Sequence, residues 1–572
     1  MNKDYQSLTF DYKQHQAEND SAMHPVVVVG AGPVGLSAAL ALAQQGIAVV
    51  LVDDDNRLST GSRAICFAKH TLDIFMRLGC GEQIKRKGVS WDVGKIFFKD
   101  QQIYSFNLQP ETGHQQPAFI NLQQYYVEGY LVERALALPL IDLRWKNKVV
   151  DIQQDQHSVR LTIATPEGNY ILRAQYVIAA DGAHSAVTRS MGLDSVGRTF
   201  KDRFLIADIK MQAPFPAERW FWFDPPFHPN QSVLLHRQPD DIWRIDFQLG
   251  WDADPALETQ PDNIAPRVAA LLGPDVEFEL KWASVYTFCC QRMEAFRHAR
   301  VLFAGDAAHR VSPFGARGAN SGIQDVDNLA WKLALVLRGV APDNLLDSYA
   351  QEREAAADEN ILNSTRSTDF ITPKSEVSRL FRDAVLQLAS TCQFARQLVN
   401  SGRLSTPMLL PPSSYLTPDS DQFKTRLEVG AVAEDAPVRQ GGNPTWLLAQ
   451  LSHQFSGVYF HHGCAAEVDN NTLAALSALQ RGRIPIRIIL LRIDRHPNPV
   501  PVAEHADSPP PNLGGFLFLD ASDHLVAQRY DASDGSFYLI RPDQHVCARW
   551  RQVNLALIEQ ALLRACGINH SV

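Results

Sequence analysis

Three glycines within six residues are the first feature of this chain that could do chemistry. Gly30, Gly32 and Gly35 stand in the run GAGPVG, with Ala31, Pro33 and Val34 between them. An apolar stretch, 25–29, precedes the run. A helical stretch, 34–45, follows it and is ended by Gly46. The first glycine of such a turn permits a tight bend. The second lets the backbone approach a pyrophosphate, and the third lets the helix pack close to the strand. The free N–H groups at the helix start hold phosphate oxygens. A second apolar stretch, 48–52, ends on Asp53. That is about 20 residues beyond the turn, the spacing of a carboxylate that accepts from a ribose hydroxyl.

A second constellation lies far along the chain. Gly305-Asp306 follows the apolar run 301–304, so the Asp306 carboxylate is expected at a strand's C-terminal end, where open α/β sheets bind ligands. The small-residue run 315–322, with Gly318, Ala319 and Asn320, then leads into an amphipathic helix expected over 325–338. Such an entry presents N–H donors and the positive end of a helix dipole. A third motif, Asp181-Gly182 with Ser185 and Arg189 after it, closes the apolar stretch 176–180. Alone, Asp-Gly is a turn.

These motifs need elements to position them. Residues 25–52 read as a βαβ unit of the dinucleotide-binding kind. Alternation over 149–177 predicts strands of a smaller antiparallel layer. Stretches 204–209, 220–223, 232–236, 243–249 and 277–288 read as strands of a second sheet. Residues 352–400 look helical and external, and 406–421 is a Pro/Ser-rich linker. Beyond it, strand-like runs (458–461, 484–491, 516–519, 537–540) alternate with helical ones (444–455, 470–479, 553–566), the pattern of one small α/β domain.

The pairing of the glycine turn with the Gly305–Asn320 region resembles the FAD-dependent aromatic hydroxylases of the para-hydroxybenzoate hydroxylase type, the group A flavoprotein monooxygenases. It is most similar to the branch of 3-(3-hydroxyphenyl)propionate hydroxylase and phenol hydroxylase. The likeness covers residues 25 to about 400. A weaker one, carried by 530–550, joins the C-terminal unit to the thioredoxin-like domain of phenol hydroxylase relatives.

The resemblance implies an α/β fold: a Rossmann-like FAD-binding domain with an inserted antiparallel-sheet substrate domain, plus a C-terminal thioredoxin-like α/β domain. The expected division is a polar extension (1–24), a discontinuous FAD-binding domain (25–195 and 300–405), a substrate sheet (196–299), a linker (406–424) and the thioredoxin-like domain (425–567). It also implies FAD as cofactor and NAD(P)H as a transient co-substrate. Oxygen transfer from a flavin C4a-hydroperoxide would hydroxylate a phenolic or aromatic-acid ring. By the same likeness, the glycine turn binds the ADP half of FAD, Gly305 and Asp306 bind the ribityl chain and pyrophosphate, and Asp181 contacts FAD. Pro313 lies beside the reactive flavin edge, and the loop at Gly318–Asn320 faces the negative charge of a reduced flavin. Arg63 matches an arginine near the flavin and NAD(P)H phosphates, with a surface ion pair as its plainer role. Gln124 matches a glutamine contacting FAD, with Glu128 at the matching offset and Gln123 as the alternative.

The chain departs from the family pattern in two places. Ala316-Arg317-Gly318-Ala319-Asn320 replaces Gly-Gln-Gly-Met-Asn, so Arg317 adds a charge near the flavin or substrate mouth, or is simply structural. Ile65 stands where phenol hydroxylase has a carboxylate near its substrate. Tyr286 and His236 are therefore candidates to deprotonate a phenol, each with an ordinary core role as the alternative. Trp220 and Trp222 either line a ring pocket or pack within a sheet.

Composition narrows the classes. With 45% hydrophobic and 20% charged residues and a net charge of −9, the 572-residue chain is an ordinary globular one, with no basic cluster of the nucleic-acid-binding kind. Its eight cysteines include no CxxC pair, which points to reduced thiols in the cytoplasm, to no metal site, and to no thioredoxin-type redox chemistry in the C-terminal unit. The first 25 residues carry no apolar signal core, and the apolar stretch 26–43 is broken by glycines and proline, so no membrane partner is expected. The expected partners are a small aromatic substrate, O2 and, by analogy alone, a second copy in a homodimer. The alternatives are another FAD-dependent oxidoreductase on the same fold, oxidase or halogenase-like, and a catalytically silent flavin- or partner-binding protein.

Overall fold

The computed structural model describes residues 8–13, 22–59, 61, 64–213, 215–273, 276–399, 406–463, 468–493 and 515–568. The valine-rich strand Met23–Val29 lies at the centre of the first sheet, its last four residues buried, as a strand covered on both faces must be. Parallel neighbours flank it: Gly168–Ala179 on one side, Val49–Val52 on the other. Val301–Phe303 and Ile141–Arg144 extend the sheet in parallel at the two ends, and Arg297–His298 closes one edge. The long strand Gly168–Ala179 also carries an antiparallel meander, Lys148–Gln154 and Val159–Thr165, the layer read from alternation over 149–177.

Helix Pro33–Gln44 packs on this sheet and against the long helix Gly318–Leu337. The second helix starts well before the expected residue 325, at the small-residue run itself. Gly322 in its first turns lies against the first helix, where a Cβ would meet the Val34 side chain at 2.7 Å. Helix Leu345–Ile371 is not external as expected. It packs on Gly318–Leu337 and on strand Glu279–Met293, burying Tyr349, Glu352 and Arg353.

The second sheet is almost wholly antiparallel. Its order is His309–Arg310, Glu279–Met293, Ser195–Lys210, Ile242–Leu249, Ser232–Arg237, Arg219–Phe223, Val93–Phe98 and Gln101–Asn107. The last two strands come from far earlier in the chain, and Val93–Phe98 joins in parallel. Alternation sends the two faces of this sheet to different places. Trp222 and Trp243 face outward into a cluster with Ile264 and Val268 of helix Pro261–Leu272, and Trp220 packs against it. Trp220 and Trp222 are thus sheet packing: Trp222 stacks on Phe97, and Trp220 donates from Nε1 to Glu218 at 2.7 Å.

The C-terminal unit is a seven-stranded mixed sheet, the thioredoxin-like α/β domain. The predicted helix at 444–455 is mostly not helical: Asn443–Trp446 is a strand, Leu447–Gln450 a single turn, and Phe455–His461 an interior strand beside Ile486–Arg492. Pro444 and Thr445 sit in a hairpin that ends the sheet edge, which overrode the apolar pattern. The segment read as a linker is tied down. Leu410 and Leu416 are buried, and Arg549 forks onto Asp419 at 2.9 and 2.6 Å.

Candidate functional site

A cavity of about 660 Å3 runs between the first two sheets. At one end lies the glycine turn. Gly30 holds a φ of +101°, and a Cβ there would meet the Ala180 carbonyl oxygen at 2.5 Å. A Cβ on Gly35 would sit 1.8 Å from the Gly30 oxygen. Only glycine fits at either position. A Cβ on Gly32, by contrast, would meet nothing within 4 Å, because that position opens on the cavity. Asp53 also borders the cavity. Its Oδ2 accepts from the Ala31 N–H at 2.5 Å and its Oδ1 from the Asp55 N–H at 2.9 Å. Burial raises its carboxyl to about 6 against the pull of those N–H groups.

Asp181 and Gly182 form the next stretch of wall. Asp181 Oδ2 accepts from Ala186 and Val187 N–H at 2.7 and 3.2 Å, while its buried Oδ1 has no partner among the described residues. Burial raises this carboxyl too. Gln124 and Glu128 lie opposite. Gln124 Oε1 accepts from Ala64 N–H at 3.1 Å, and its Nε2 donates to Glu128 at 2.7 Å. Gln123 is buried away from the cavity and donates to the Pro239 carbonyl at 3.3 Å. Of the two, Gln124 borders the cavity and Gln123 does not. Arg63 lies outside the described residues.

Asp306 is exposed to the cavity at the end of Val301–Phe303. The backbone that carries it is held by a residue the sequence had not singled out. Asp325 is fully buried and accepts from Gly305 N–H at 3.0 Å, from Arg353 Nε at 2.7 Å and from His309 Nε2 at 2.7 Å. Burial alone would raise its carboxyl, yet His309, Arg353 and the Gly305 N–H hold it down at about 2. Pro313, Gly318, Ala319 and Asn320 complete this wall. Asn320 is pinned on three sides: it accepts from Ala68 N–H at 2.9 Å and donates to the Cys66 and Ala316 carbonyls at 2.9 and 2.6 Å. Arg317 is buried on the wall and donates to Asn360 at 2.9 Å, so it has a structural partner as well as a place by the cavity.

The far end of the cavity is the inner face of the second sheet. Tyr286 and His236 are both there, with Ile206, Leu234, Phe288 and Ile65 supplying apolar wall. So are three charged residues the sequence reading missed, Arg219, Arg244 and Asp246. Burial, together with Arg219 and Arg244, pushes the His236 imidazole well below its ordinary value, so it stays neutral. Among the described residues no group of side chains could hold a metal ion, and no helix is long and apolar enough to cross a membrane.

This fold is that of a known family. The chain belongs to the FAD binding domain family, whose model matches residues 23–364. It is 33% identical over 338 residues to a probable NADH-specific resorcinol 4-hydroxylase of Rhodococcus jostii (strain RHA1), covering 58% of this chain and 62% of that protein. It is 30% identical over 365 residues to the 3-(3-hydroxy-phenyl)propionate/3-hydroxycinnamic acid hydroxylase of Escherichia coli (strain K12), covering 63% and 64%. The chain thus spans less than two thirds of the length of these curated relatives. Among solved structures it is similar to the flavin-dependent monooxygenase PieE in complex with FAD and substrate, with a TM-score of 0.78, 20% identity, and 96% of this chain and 100% of that one covered.

The residues present fit FAD. The open position at Gly32, the acceptor Asp53, the orphaned Asp181 oxygen and the helix start at Gly318 all border one elongated space.

Proposed function

We propose that this chain is an FAD-dependent monooxygenase that uses NAD(P)H and O2 to hydroxylate a phenolic or aromatic-acid substrate. One observation carries the reading: a single cavity joins the dinucleotide turn, the Asp306–Asn320 wall and the inner face of an antiparallel sheet. A two-ended cofactor and a ring-sized substrate need such a continuous space.

In this reading residues 25–195 and 300–405 form the FAD-binding unit, except that the hairpin 93–107 joins 196–299 in the substrate sheet, and 425–567 form an accessory domain. Gly30 to Gly35 and Asp53 hold the ADP half. Gly305 and Asp306 hold the ribityl and pyrophosphate portion, assisted by Asp181, Gln124 and Arg63. Pro313, Gly318, Ala319 and Asn320 border the flavin ring. When bound, the flavin supplies the reducing equivalents and the activated oxygen. The chain's own part is positional and electrostatic. The N–H groups at the start of helix Gly318–Leu337 face developing negative charge. Two hydrogen bonds of Asn320 fix that helix start against strand Cys66–Ala68, and a third ties it to the Ala316 carbonyl. Ile65, Leu234 and Phe288 keep water from the reacting ring. Neutral His236 and Tyr286 offer hydrogen bonds to the substrate.

The seven described cysteines are unpaired, which suits a reducing cytoplasm. A homodimer is carried over by family likeness alone, and sedimentation would test it.

The test is direct. Purified protein, supplemented with FAD, is mixed with NAD(P)H and a panel of phenols and phenolic acids. One of them should accelerate NAD(P)H oxidation and yield a product heavier by one oxygen. A protein that retains no flavin, or that yields no oxygenated product from any phenol, would sink the reading.

A further inference from the structure

The inner face of the second sheet is organised in rows. Backbone pairing sets Arg219 opposite His236, His236 opposite Arg244, and Arg244 opposite Asp208. Directly paired residues share a face, so these four form one polar row. The next row is Phe221, Leu234, Asp246 and Ile206, with a single charge among apolar neighbours.

The charges in these rows are not all spent on each other. Arg244 is closed off: its Nε and Nη2 each lie 2.8 Å from the two Asp208 oxygens, and Gln238 donates to the same carboxylate at 3.1 Å. Arg219 is different. It is 8% exposed, and its guanidinium makes no hydrogen bond or ion pair with any described residue. Asp246 likewise has no hydrogen-bond partner among the described residues, and its Oδ1 is buried. Each feels the other's charge, yet they do not close into a pair. Both border the cavity. A buried guanidinium and a buried carboxylate left open in this way are costly. Groups held at such cost beside a cavity point to a ligand that completes them.

We propose that Arg219 and Asp246 are the two anchor points of the substrate, which is a hydroxylated aromatic acid. Arg219 receives the carboxylate and Asp246 accepts the proton of the ring hydroxyl. This rests on reading the cavity as a monooxygenase substrate site. In the step assigned to Asp246 the phenolic O–H bond breaks and a new O–H bond forms on the carboxylate. The electron pair stays on the ring oxygen, which enriches the ring for attack by an electrophilic oxygen. Among the described residues the charged groups acting on Asp246 are Arg244, Asp208 and Arg219, and the one carboxylate among them, Asp208, is held by Arg244. Arg244 is neutralised by Asp208, and His236 is held neutral by burial and by two arginines. Burial pushes the Cys66 thiol up to about 11. Burial likewise raises Asp246 itself to about 6, outweighing Arg244 and Arg219, which makes it a better base than an exposed carboxylate.

The experiment uses the FAD-loaded enzyme, with two matched pairs of probes: 3-hydroxybenzoate and 3-hydroxybenzamide, and 3-(3-hydroxyphenyl)propionate and its amide. Binding is read by calorimetry, turnover by oxygenated product, and folding of each variant by flavin content. At least one acid should bind ten-fold or more tighter than its amide. R219Q should weaken that acid by at least about 30-fold while changing the amide less than about three-fold. D246N should bind the acid within about three-fold of the parent but lower kcat by about 100-fold. It should also remove a limb of the rate profile that rises with pH through about 6 in the parent. Equal binding of acid and amide by the parent, or an acid preference that survives R219Q, overturns the carboxylate anchor. An unchanged kcat and pH limb in D246N overturns the base. Failure of the monooxygenase reading looks different: no phenol is oxygenated, while Arg219-dependent acid binding persists.

Discussion

Arg541 and Glu352, 189 residues apart in sequence, form a two-pronged ion pair, with Nη1 2.7 Å from Oε1 and Nη2 2.9 Å from Oε2. Lys332 donates to the same carboxylate at 2.7 Å, and Arg541 also holds Asp543. All four are buried. This neutral cluster locks the thioredoxin-like domain to helix Gly318–Leu337, which begins at the cavity wall. Breaking one partner leaves a buried charge uncompensated. Glu352→Gln or Arg541→Met should each cost about 3 to 5 kcal/mol, read as a lower urea midpoint. The double variant restores neutrality and should cost less than the sum. A single-variant loss under about 1 kcal/mol would show that the cluster is not a clamp.

Gly35→Ala and Gly32→Ala should fail in different ways. An alanine at 35 collides with the Gly30 carbonyl, so the turn cannot form, and little folded protein should be recovered. Gly32 has φ −74° and ψ −178°, which alanine tolerates, and its Cβ would project into open space. That variant should fold normally and lose FAD about ten-fold more readily, measured as flavin absorbance per protein after dialysis. Equal flavin retention by Gly32→Ala and the parent would remove the pyrophosphate from this position.

With Asp53 on the FAD ribose as proposed, FAD retention should depend on pH. A carboxyl accepts from a ribose hydroxyl more strongly when ionised, and burial has raised Asp53 to about 6. Affinity should be full well above that pH and fall as the pH drops through it, by about ten-fold overall. Asp53→Asn should be weaker at pH 8 and flat across the same range. A parallel decline in parent and variant would place the titrating group elsewhere.

Asp325 has the opposite shift, and the sign of its linkage follows. Its native carboxyl is depressed to about 2 from 3.8, so it contributes stability above pH 4, lost as the pH falls toward 2. The contribution is roughly 2 kcal/mol. Asp325→Asn should flatten that part of the acid-unfolding curve and free the Gly305 loop. Flavin retention should fall with it, as it should in Asp306→Ala. Unchanged flavin content in both variants would count against the second motif as a cofactor wall.

The glycine turn and its flanking strands were legible because they obey local rules: apolar runs, a glycine spacing, and an acid at a strand end. The small-residue run from 315 was legible as a helix entry, but its start was read seven residues late, because small residues carry no periodicity. His236 and Tyr286 were singled out by residue type, and both reach the cavity. Arg219, Arg244 and Asp246 were passed over, although the signal was present. Arg219 opens the otherwise apolar strand RWFWF, and Arg244 and Asp246 interrupt the mostly apolar IWRIDFQL. A charge on the buried face of such a strand must be paired or functional. What the sequence could not tell is which face is buried, because that depends on strands 93–107 joining from outside the expected substrate segment.

That borrowed hairpin and the split first sheet have a consequence for biosynthesis. The first strand pairs with Gly168–Ala179, which in turn needs Val301–Phe303, and the first helix rests on Gly318–Leu337. As the chain leaves the ribosome, the glycine turn emerges long before Val301–Phe303 and Gly318–Leu337. It must wait for both before its sheet and its covering helix exist. The hairpin at 93–107 waits in the same way for 219–223. Such late, long-range closure makes folding slow and leaves apolar strands exposed meanwhile. For a nascent chain of this design, an early-binding chaperone and a ready supply of cofactor at the moment of closure would matter more than for a contiguous domain of equal size.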